Sequence, residues 1–477
     1  MASPAKLSLV VVVVLIALAT VCVAAVQLSA RIPLSPWESS IAMEAVRLNA
    51  GLPIYESAHA THLYGPLLTV ILAGAFQATG LNLIAARVVM SMFAIALAIF
   101  LSAILCHGKS RTWAVVAVLL FLGINLRTNL IVFSTQPDWA ASFLAVIGLC
   151  VWITRKDSLL FGFVSVALFV CATLCKQTSA AFTLIPPAYV LLWKRPLRLR
   201  DLAAGLIPTV SILLTLAAIY WLWPRMFAAI VTIPASIKVY PERLLRVTLY
   251  LVVTFPIFLI ALWSLFRARR RITETECWIL AALIVLVPVS VWTMCKSGSG
   301  YNSLLFAYLA MTALCVARFE AVFDWLCSLS RRRGFAAAVA IALATFASFF
   351  IQVDHVFTLL SLRHGDDKYD VAVTQAGNLP GTVCSPQDPT IAYRAKNYFG
   401  RSLFAELDTH AVNGNWPSVL PDSMKQELAH CKYVVAIKSY VPAPMFDSYL
   451  PTAHFEPLPV PELEGSVYTI WKRTGME

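Results

Sequence analysis

Long apolar runs repeat along most of this chain, and they constrain its fold more than any other feature. Each run has roughly 16 to 22 residues, the length an α-helix needs to cross a bilayer. Of the 477 residues, 59% are hydrophobic and 13% are charged, whereas soluble domains have about a quarter charged residues. Because a membrane β-barrel would have short alternating segments instead, we predict an all-α polytopic membrane bundle.

Eleven of these runs are predicted to cross the membrane. They lie at about 7–26, 84–105, 112–125, 138–154, 158–175, 178–193, 203–223, 245–266, 278–294, 301–318 and 335–351. The run at 65–80 is short for a crossing, and we predict that it lies in the membrane interface. With that assignment, the clusters of lysine and arginine between the runs all face the cytoplasm. The first run is read as a retained helix with its N-terminus inside, and a cleaved signal peptide is the alternative.

Charge and composition divide the chain into two parts. From Asp366 to the end there are 9 basic and 13 acidic residues, whereas the remainder carries 28 basic and 12 acidic residues. We predict a transmembrane domain at 1–352, followed by a small extracytoplasmic α/β domain at 353–477. Because the basic residues cluster in short loops between apolar runs, they do not indicate a nucleic-acid partner.

The C-terminal part is predicted to contain both strands and helices. Strand-like runs lie at 382–384, 433–437 and 467–471, and helical stretches lie at 389–399 and 421–430. Turn signals and prolines separate these segments, as in a small domain with its own core.

Two acids begin helices on the side opposite the basic clusters. In the first outer loop, 30–83, the order Ser35, Pro36 and Glu38 predicts a capping box at the start of an interfacial helix. Asp138 begins a predicted span in the same manner. Each acid could serve only as a helix cap, which the helix dipole favours. Alternatively, each carboxylate could accept the proton of a substrate hydroxyl.

Two lysines lie at the same predicted membrane edge. Lys176 separates two apolar runs, and Lys296 opens a turn of glycine and serine that continues to Tyr301 and Asn302. Both ammonium groups could simply reach lipid headgroups or the carbonyl end of a helix. Small residues beside a lysine also suit an oxyanion. We therefore predict that Lys176 and Lys296 approach one cavity and hold a phosphate.

Histidine and cysteine positions do not indicate a metal centre. His59 and His62 have no acid or cysteine at metal-ligand spacing, so we predict surface histidines there. Most of the 11 cysteines lie inside predicted spans. Cys384 and Cys431 lie in the outer domain, where a disulfide is permitted, and we predict that they form one.

Short motifs follow one another in a distinctive order on the predicted outer side. In chain order they are Glu38, Ala45–Tyr55, Pro66–Gly80, Arg87, Asp138, Lys176–Thr178 and Lys296–Asn302. This order resembles the multi-spanning glycosyltransferases of the C superfamily (GT-C), which include protein O-mannosyltransferases and bacterial aminoarabinose transferases. The chain departs from that pattern at Trp37-Glu38, where the family often has an aspartate or an Asp-Glu pair.

The resemblance implies transfer of a sugar from a polyprenyl-phosphate carrier to an acceptor at the outer face of the cell inner (cytoplasmic) membrane. It implies catalytic roles for Glu38, the preferred base, and for Asp138, with both lining one cavity. The implied substrate or phosphate contacts are Tyr55, Arg87, Lys176, Lys296, Tyr301 and Asn302. The implied partners are the lipid-linked sugar and the bilayer. The acceptor, and whether a divalent metal takes part, are left open.

Two other functions compete with this one. A transporter or flippase for a lipid-linked anion would place polar groups at the membrane midplane, whereas the predicted spans hold almost no ionisable residues. A non-catalytic membrane assembly protein, acting through its outer domain, is the second alternative. We favour the glycosyltransferase because its candidate acids and lysines fall on one side.

Overall fold

The structure is a computed structural model of the chain. It describes residues 4–55, 62–128, 134–155, 158–267, 272–328, 336–337, 339–340, 366–410, 419–438 and 443–475. This part of the chain is mostly helical, with one four-stranded sheet near the C-terminus. The predicted domain boundary at 352/353 lies outside the described residues.

The N-terminal two thirds of the chain forms a helical bundle. Its α-helices are α1 (Pro4–Ser29), α2 (Pro36–Asn49), α3 (Pro66–Thr79), α4 (Leu83–Leu105), α5 (Arg111–Leu122), α6 (Asp138–Arg155), α7 (Leu159–Cys175), α8 (Ile185–Trp193), α9 (Leu199–Leu222), α10 (Pro224–Phe227), α11 (Ile233–Ser236), α12 (Leu244–Val253), α13 (Pro256–Arg267), α14 (Glu274–Met294) and α15 (Leu305–Ser328). Short 3-10 turns lie at Gly123–Arg127, Gln177–Leu184, Pro241–Arg243 and Tyr301–Leu304, and a π-helical turn lies at Ala228–Thr232.

Helical segments occupy ten of the eleven predicted spans, and the eleventh, 335–351, lies almost wholly outside the described residues. Within the described part, four helices are long and apolar enough to cross a membrane, namely α4, α9, α14 and α15 with its preceding turn. The pair α12 and α13, bent by 83°, makes a fifth if it counts as one span. The number of eleven crossings therefore remains a prediction.

Helix α3 begins and ends at the same end of the bundle. Gly65, just before α3, lies so close to the end of α7 that a Cβ there would collide with the Leu174 carbonyl. Asn82, just after α3, caps the start of α4. The end of α7 meets the start of α6 through the contact of Lys176 with Asp138. The start of α4 is linked to the residues before α6 through Glu38, which accepts hydrogen bonds from Arg87 and from the N–H of Thr135. With only 14 residues, α3 rises about 21 Å, and this geometry supports the prediction that 65–80 does not cross. We call this end of the bundle the site end.

The C-terminal region forms a small α/β domain. Its helices are α16 (Asp366–Asn378), α17 (Pro389–Lys396), α18 (Phe404–His410), α19 (Asp422–Ala429) and α20 (Ala443–Thr452), and its strands are β1 (Val383–Cys384), β2 (Tyr433–Ile437), β3 (Phe455–Leu458) and β4 (Tyr468–Arg473). The sheet order is β1-β2-β4-β3, with β1 parallel to β2 and the other pairs antiparallel. The three predicted strands are confirmed, as are the two predicted helices. Strand β3, which carries Pro457, was not predicted.

Both faces of this sheet are covered. Val434 and Ala436 point into one apolar core, and Tyr433, Val435 and Ile437 point into the other, as alternation along a strand requires. The predicted disulfide is confirmed, because Cys384 and Cys431 are bonded and their Cα atoms are 5.9 Å apart. It lies within the first of these cores.

The C-terminal domain rests on the first loop of the bundle. Arg47 on α2 donates a hydrogen bond of 2.7 Å to the carbonyl of Phe399, and Arg401 donates one of 3.2 Å to the carbonyl of Pro53. Tyr393 and Phe399 pack against the apolar core shared by α2, α3 and α4. The domain therefore lies at the site end of the bundle.

Candidate active site

Two side chains from distant parts of the chain, those of Lys176 and Asn302, contact Asp138. The Lys176 ammonium lies 2.5 Å from one carboxylate oxygen, and the Asn302 amide donates a 3.2 Å hydrogen bond to the other. Asp138 is 1% exposed and Lys176 is 8% exposed. A buried carboxylate needs such partners, because an isolated charge in a low-dielectric site is costly.

Helix ends bring these groups together. Asp138 is the first residue of α6, directly after Pro137, so its carboxylate lies at the positive end of that helix. At Lys176 the backbone turns to an extended conformation between α7 and the following 3-10 turn. Asn302 lies in the 3-10 turn that leads into α15. The polar groups therefore lie where helices begin or break, as their sequence positions predicted.

A small cavity opens beside this cluster. Its walls are Asp138, Lys176, Thr178, Thr293, Asn302, Ser303 and Phe306. Its volume is about 20 Å³, enough for roughly one water molecule. The cavity therefore has a carboxylate, an ammonium, an amide and hydroxyl groups around one small space. This set can bind a phosphate or sugar hydroxyl and can take up a proton.

Glu38 lies in a different, closed environment. Its first carboxylate oxygen accepts hydrogen bonds from Arg87 (2.9 Å) and from the backbone N–H of Thr135 (3.1 Å). Its second oxygen accepts from Arg87 and from the N–H of Leu34, both at 2.6 Å. Glu38 has no exposed surface, and it does not line the cavity beside Asp138. The predicted shared cavity of the two acids is therefore wrong in this structure.

Arg87 uses its whole guanidinium inside the protein. Besides Glu38, it donates to the carbonyls of Gln27, Ala30 and Ile32. A guanidinium has five N–H donors, and all five are engaged here. Carbonyls at the end of a helix lack partners within the helix, and Arg87 supplies them at the end of α1. The predicted contact of Arg87 with substrate is corrected accordingly, because no donor remains for it.

The predicted capping box does not form at α2. Glu38 bonds to the N–H of Leu34 rather than to that of the N-cap residue Ser35. The Ser35 side chain makes no capping hydrogen bond, and its buried hydroxyl oxygen has no partner. The ion pair with Arg87 replaces the local cap because it satisfies the carboxylate more completely.

Lys296 lies at the site end but outside the Asp138 cavity. Its ammonium donates a 2.6 Å hydrogen bond to the carbonyl of Pro234, and partial burial lowers the pKa of Lys296. The prediction that Lys296 and Lys176 approach one cavity is therefore wrong in this structure. Tyr301, next to Asn302, packs against Tyr250 with ring centroids 4.8 Å apart. Lys296 and Tyr301 lie beside the cavity, because the backbone N–H of Lys296 bonds to the carbonyl of Thr293 and Tyr301 precedes Asn302, and Thr293 and Asn302 line the cavity.

The first loop contains a buried aromatic group that was not predicted. His62 is 3% exposed and lies between the rings of Tyr55 and Tyr64. Burial lowers the pKa of His62 to about 4, so the imidazole is neutral at pH 7. The prediction of a surface histidine is wrong for His62, and His59 lies outside the described residues. Tyr55 donates its hydroxyl to the carbonyl of Tyr64 at 2.8 Å.

Two acids of the C-terminal domain were also missed, the buried Asp388 and the half-buried Glu427. Asp388 is the N-cap of α17, and one of its oxygens accepts two hydrogen bonds from Thr390, while the other has no partner. Burial raises the pKa of Asp388 to about 6, and Glu38 contributes to that rise. Burial raises the pKa of Glu427 to about 7. In the sequence, the Asp-Pro pair at 388–389 indicates the start of a helix. It gives no sign that Glu38 lies close enough to affect the pKa of Asp388.

Metal ligands do not cluster in the described part of the chain. Within those residues, no group of three or more His, Cys, Asp or Glu side chains could hold a metal ion. The cations that pair with Asp138 and Glu38 are the side chains of Lys176 and Arg87, respectively.

Comparison with known proteins places the fold. No family model and no curated protein matches the sequence. Among solved structures, ArnT from Cupriavidus metallidurans is similar over 97% of this chain and 98% of its own when bound to undecaprenyl phosphate. The TM-score is 0.54 at 14% identity. Its apo form matches with the same TM-score, at 15% identity, over 96% and 97%.

An oligosaccharyltransferase from Archaeoglobus fulgidus, tethered to an acceptor peptide, is also similar. It matches with a TM-score of 0.50 and 13% identity, over 90% of this chain and 69% of its own. Both neighbours are GT-C proteins. At such identities the likeness establishes the fold alone. The chain therefore has the GT-C fold, a mostly helical bundle with a small C-terminal sheet, as the resemblance implied.

Proposed function

We propose that this protein is an integral membrane glycosyltransferase of the inner (cytoplasmic) membrane. It moves a sugar from a polyprenyl-phosphate-linked donor to an acceptor at the outer face. The observation that carries the proposal is the convergence of Asp138, Lys176 and Asn302 on one cavity at the end of an apolar bundle. A lipid carrier needs an apolar path for its chain and a cation at headgroup level for its phosphate, and this arrangement supplies both.

Each group has a role that follows from its chemistry. The Asp138 carboxylate accepts the proton of the acceptor hydroxyl while the acceptor oxygen bonds to the anomeric carbon of the sugar. The bond between that carbon and the phosphate oxygen breaks, and the polyprenyl phosphate leaves as an anion. Lys176 stabilises the leaving phosphate, since an ammonium has three N–H donors and can contact Asp138 and phosphate together. Asn302 orients the carboxylate.

Asp138 is a better supported base than Glu38. A general base must reach the proton that it removes, directly or through one water. Asp138 lines a cavity, whereas Glu38 is enclosed and accepts four hydrogen bonds. In this proposal Glu38 and Arg87 hold the site together, and Lys296 and Tyr301 form the outer wall that the carrier passes.

Orientation follows from the charge distribution. Among the described residues, Lys109 and Lys194 lie between helices and Arg111 begins α5, all at the end opposite Asp138, so the positive-inside rule favours an orientation with the site end and the C-terminal domain outside. The N-terminus is then cytoplasmic. The solved relatives of this fold support the donor class, since one of them is ArnT bound to undecaprenyl phosphate.

A deletion strain tests the proposed function. Without the transferase, its polyprenyl-phosphate sugar should accumulate in lipid extracts analysed by mass spectrometry, and the wild-type chain should remove the excess. Unchanged lipid-linked sugars in the deletion strain would overturn the proposal. If purified protein in acceptor-free vesicles moves a labelled polyprenyl-linked sugar between leaflets, the transporter alternative gains instead.

A further inference from the structure

The segment 32–38, which leads from the α1–α2 connection into the first turn of α2, contacts the apolar cores on both faces of the C-terminal sheet. Ile32 is 4% exposed and belongs to the core that contains Tyr369 and Val435. Trp37 packs against the opposite core, which contains Leu403 and the disulfide cysteines. Because neighbouring residues of β2 point into different cores, these two side chains hold the segment on opposite sides of one sheet.

The same segment contacts the membrane bundle between these two points. Leu34 packs against the apolar cluster that contains Ile16 and Leu126, and its N–H donates to the Glu38 carboxylate. Glu38 directly follows Trp37 in the first turn of α2. The segment is therefore fixed to the C-terminal domain and to the bundle alternately within seven residues.

Glu38 links the segment to the candidate active site. Its carboxylate accepts the N–H of Thr135 at 3.1 Å, three residues before Asp138. Thr135 has no exposed surface, so this bond fixes the backbone that leads into α6. A shift of the segment would therefore move the start of α6.

We propose that Trp37 and Ile32 are positioning residues, through which the C-terminal domain sets Glu38, Thr135 and hence Asp138. The assignment of Asp138 to catalysis rests on the proposed function, whereas the mechanical coupling to Thr135 does not. Positioning of this kind is effective because a displacement of about 1 Å at a reacting group can lower a rate about 100-fold.

Hydrogen exchange of the full-length protein in detergent tests the coupling. In Trp37→Ala, amide exchange at residues 134–139 should become about tenfold faster, because the bond from Thr135 to Glu38 opens more often. Trp37→Phe should restore most of the protection. The matched control is Tyr449→Ala, which removes an aromatic ring packed against the same core but leaves the segment untouched, and its exchange at 134–139 should equal that of the wild type.

Two outcomes would overturn the proposal. One is wild-type exchange at 134–139 in a folded Trp37→Ala protein. The other is equal acceleration in Tyr449→Ala, which would indicate general loosening of the domain. If Trp37→Ala does not fold, Ile32→Ala carries the same test from the other face of the sheet.

Measurement of lipid-linked sugar in cells distinguishes failure of this proposal from failure of the proposed function. In the deletion strain, Trp37→Ala should leave a large excess of lipid-linked sugar, and Trp37→Phe should remove most of it. If the wild-type chain itself does not change lipid-linked sugars, the proposed function fails while the exchange result still decides the coupling.

Discussion

Glu38 and Arg87 form a bidentate ion pair that has no exposed surface, with contacts of 2.9 and 2.6 Å between the carboxylate and the guanidinium. The two residues are 49 positions apart and join the start of α2 to the start of α4. Arg87 also holds the end of α1, and Glu38 also holds the segment before α6. The pair therefore connects four elements at the end of the bundle where Asp138 lies.

Replacing Glu38 by Gln should destabilise the protein. The substitution leaves the Arg87 guanidinium buried without its counter-charge, and breaking a buried pair in this way typically costs about 3 to 5 kcal/mol. Thermal unfolding in detergent, measured against the wild type, checks this. The double variant Glu38→Leu/Arg87→Leu should not recover the loss, because it also removes the donors to the carbonyls of Gln27, Ala30 and Ile32. A Glu38→Gln protein of wild-type stability but without activity would instead identify Glu38 as the base.

The sequence predicted the groups whose positions depend on helix ends. Asp138, Lys176 and Asn302 each lie where an apolar run begins or ends, so a count of crossings was enough to place them on one side. The Glu38–Arg87 pair could not be predicted in this way, because a run of apolar residues around Arg87 gives no sign of its partner. The expectation that Arg87 contacts substrate came from the family resemblance, and the structure instead places its guanidinium on Glu38 and on three backbone carbonyls.

Lys176→Met should weaken binding of undecaprenyl phosphate to the purified protein about 10- to 100-fold, since a hydrogen bond to a charged group contributes about 1.5 to 3 kcal/mol. Native mass spectrometry at several lipid concentrations measures this. Lys296→Met should have a smaller effect, because Lys296 lies outside the Asp138 cavity and bonds to the Pro234 carbonyl. Lys194→Met, at the opposite end of the bundle, is the control. Equal binding by the Lys176 variant and that control would remove Lys176 from the phosphate site.

The stability of the C-terminal domain should fall as pH rises from about 4 to 7. Burial raises the pKa of Asp388 to about 6 and that of Glu427 to about 7. Each carboxyl holds its proton more tightly when folded than when unfolded. Its contribution to stability is therefore complete below the unfolded pKa, about 4, and is lost as pH rises through the folded pKa.

Limited proteolysis at several pH values measures this dependence. Asp388→Asn and Glu427→Gln should each be less sensitive to pH than the wild type between pH 5 and 7. Asp422→Asn is the control, because Asp422 is exposed and the Lys425 hydrogen bond lowers its pKa. An unchanged pH dependence in both the Asp388 and the Glu427 variant would contradict the expectation.

A reporter enzyme that is active only in the cytoplasm should be silent when fused after Glu477. In the proposed orientation, which the positive-inside rule favours, the site end is outside, and the C-terminal domain rests on that end through Arg47 and Arg401. A fusion after Lys194, at the opposite end, should be active. Activity of the Glu477 fusion would reverse the assigned orientation.

The contacts of the C-terminal domain were beyond the reach of the sequence. Ile32 and Trp37 looked like ordinary residues of an outer loop, yet they complete cores that are built from residues more than 330 positions later. His62 was expected at the surface because no acid or cysteine lies at metal-ligand spacing from it. The disulfide was predicted because Cys384 and Cys431 lie in the outer domain, where a disulfide is permitted, and each adjoins a strand-like run.

The most direct test of the account is complementation of the deletion strain by Asp138→Asn, with lipid-linked sugars measured by mass spectrometry. Asparagine keeps the size of the side chain and can still bond to Asn302, but it cannot accept the proton of the acceptor. Loss of a general base typically lowers a rate about 100- to 10,000-fold. The account predicts that the variant accumulates as a folded membrane protein while lipid-linked sugar stays as high as in the deletion strain. Lipid-linked sugar at the wild-type level in cells that carry Asp138→Asn would contradict it.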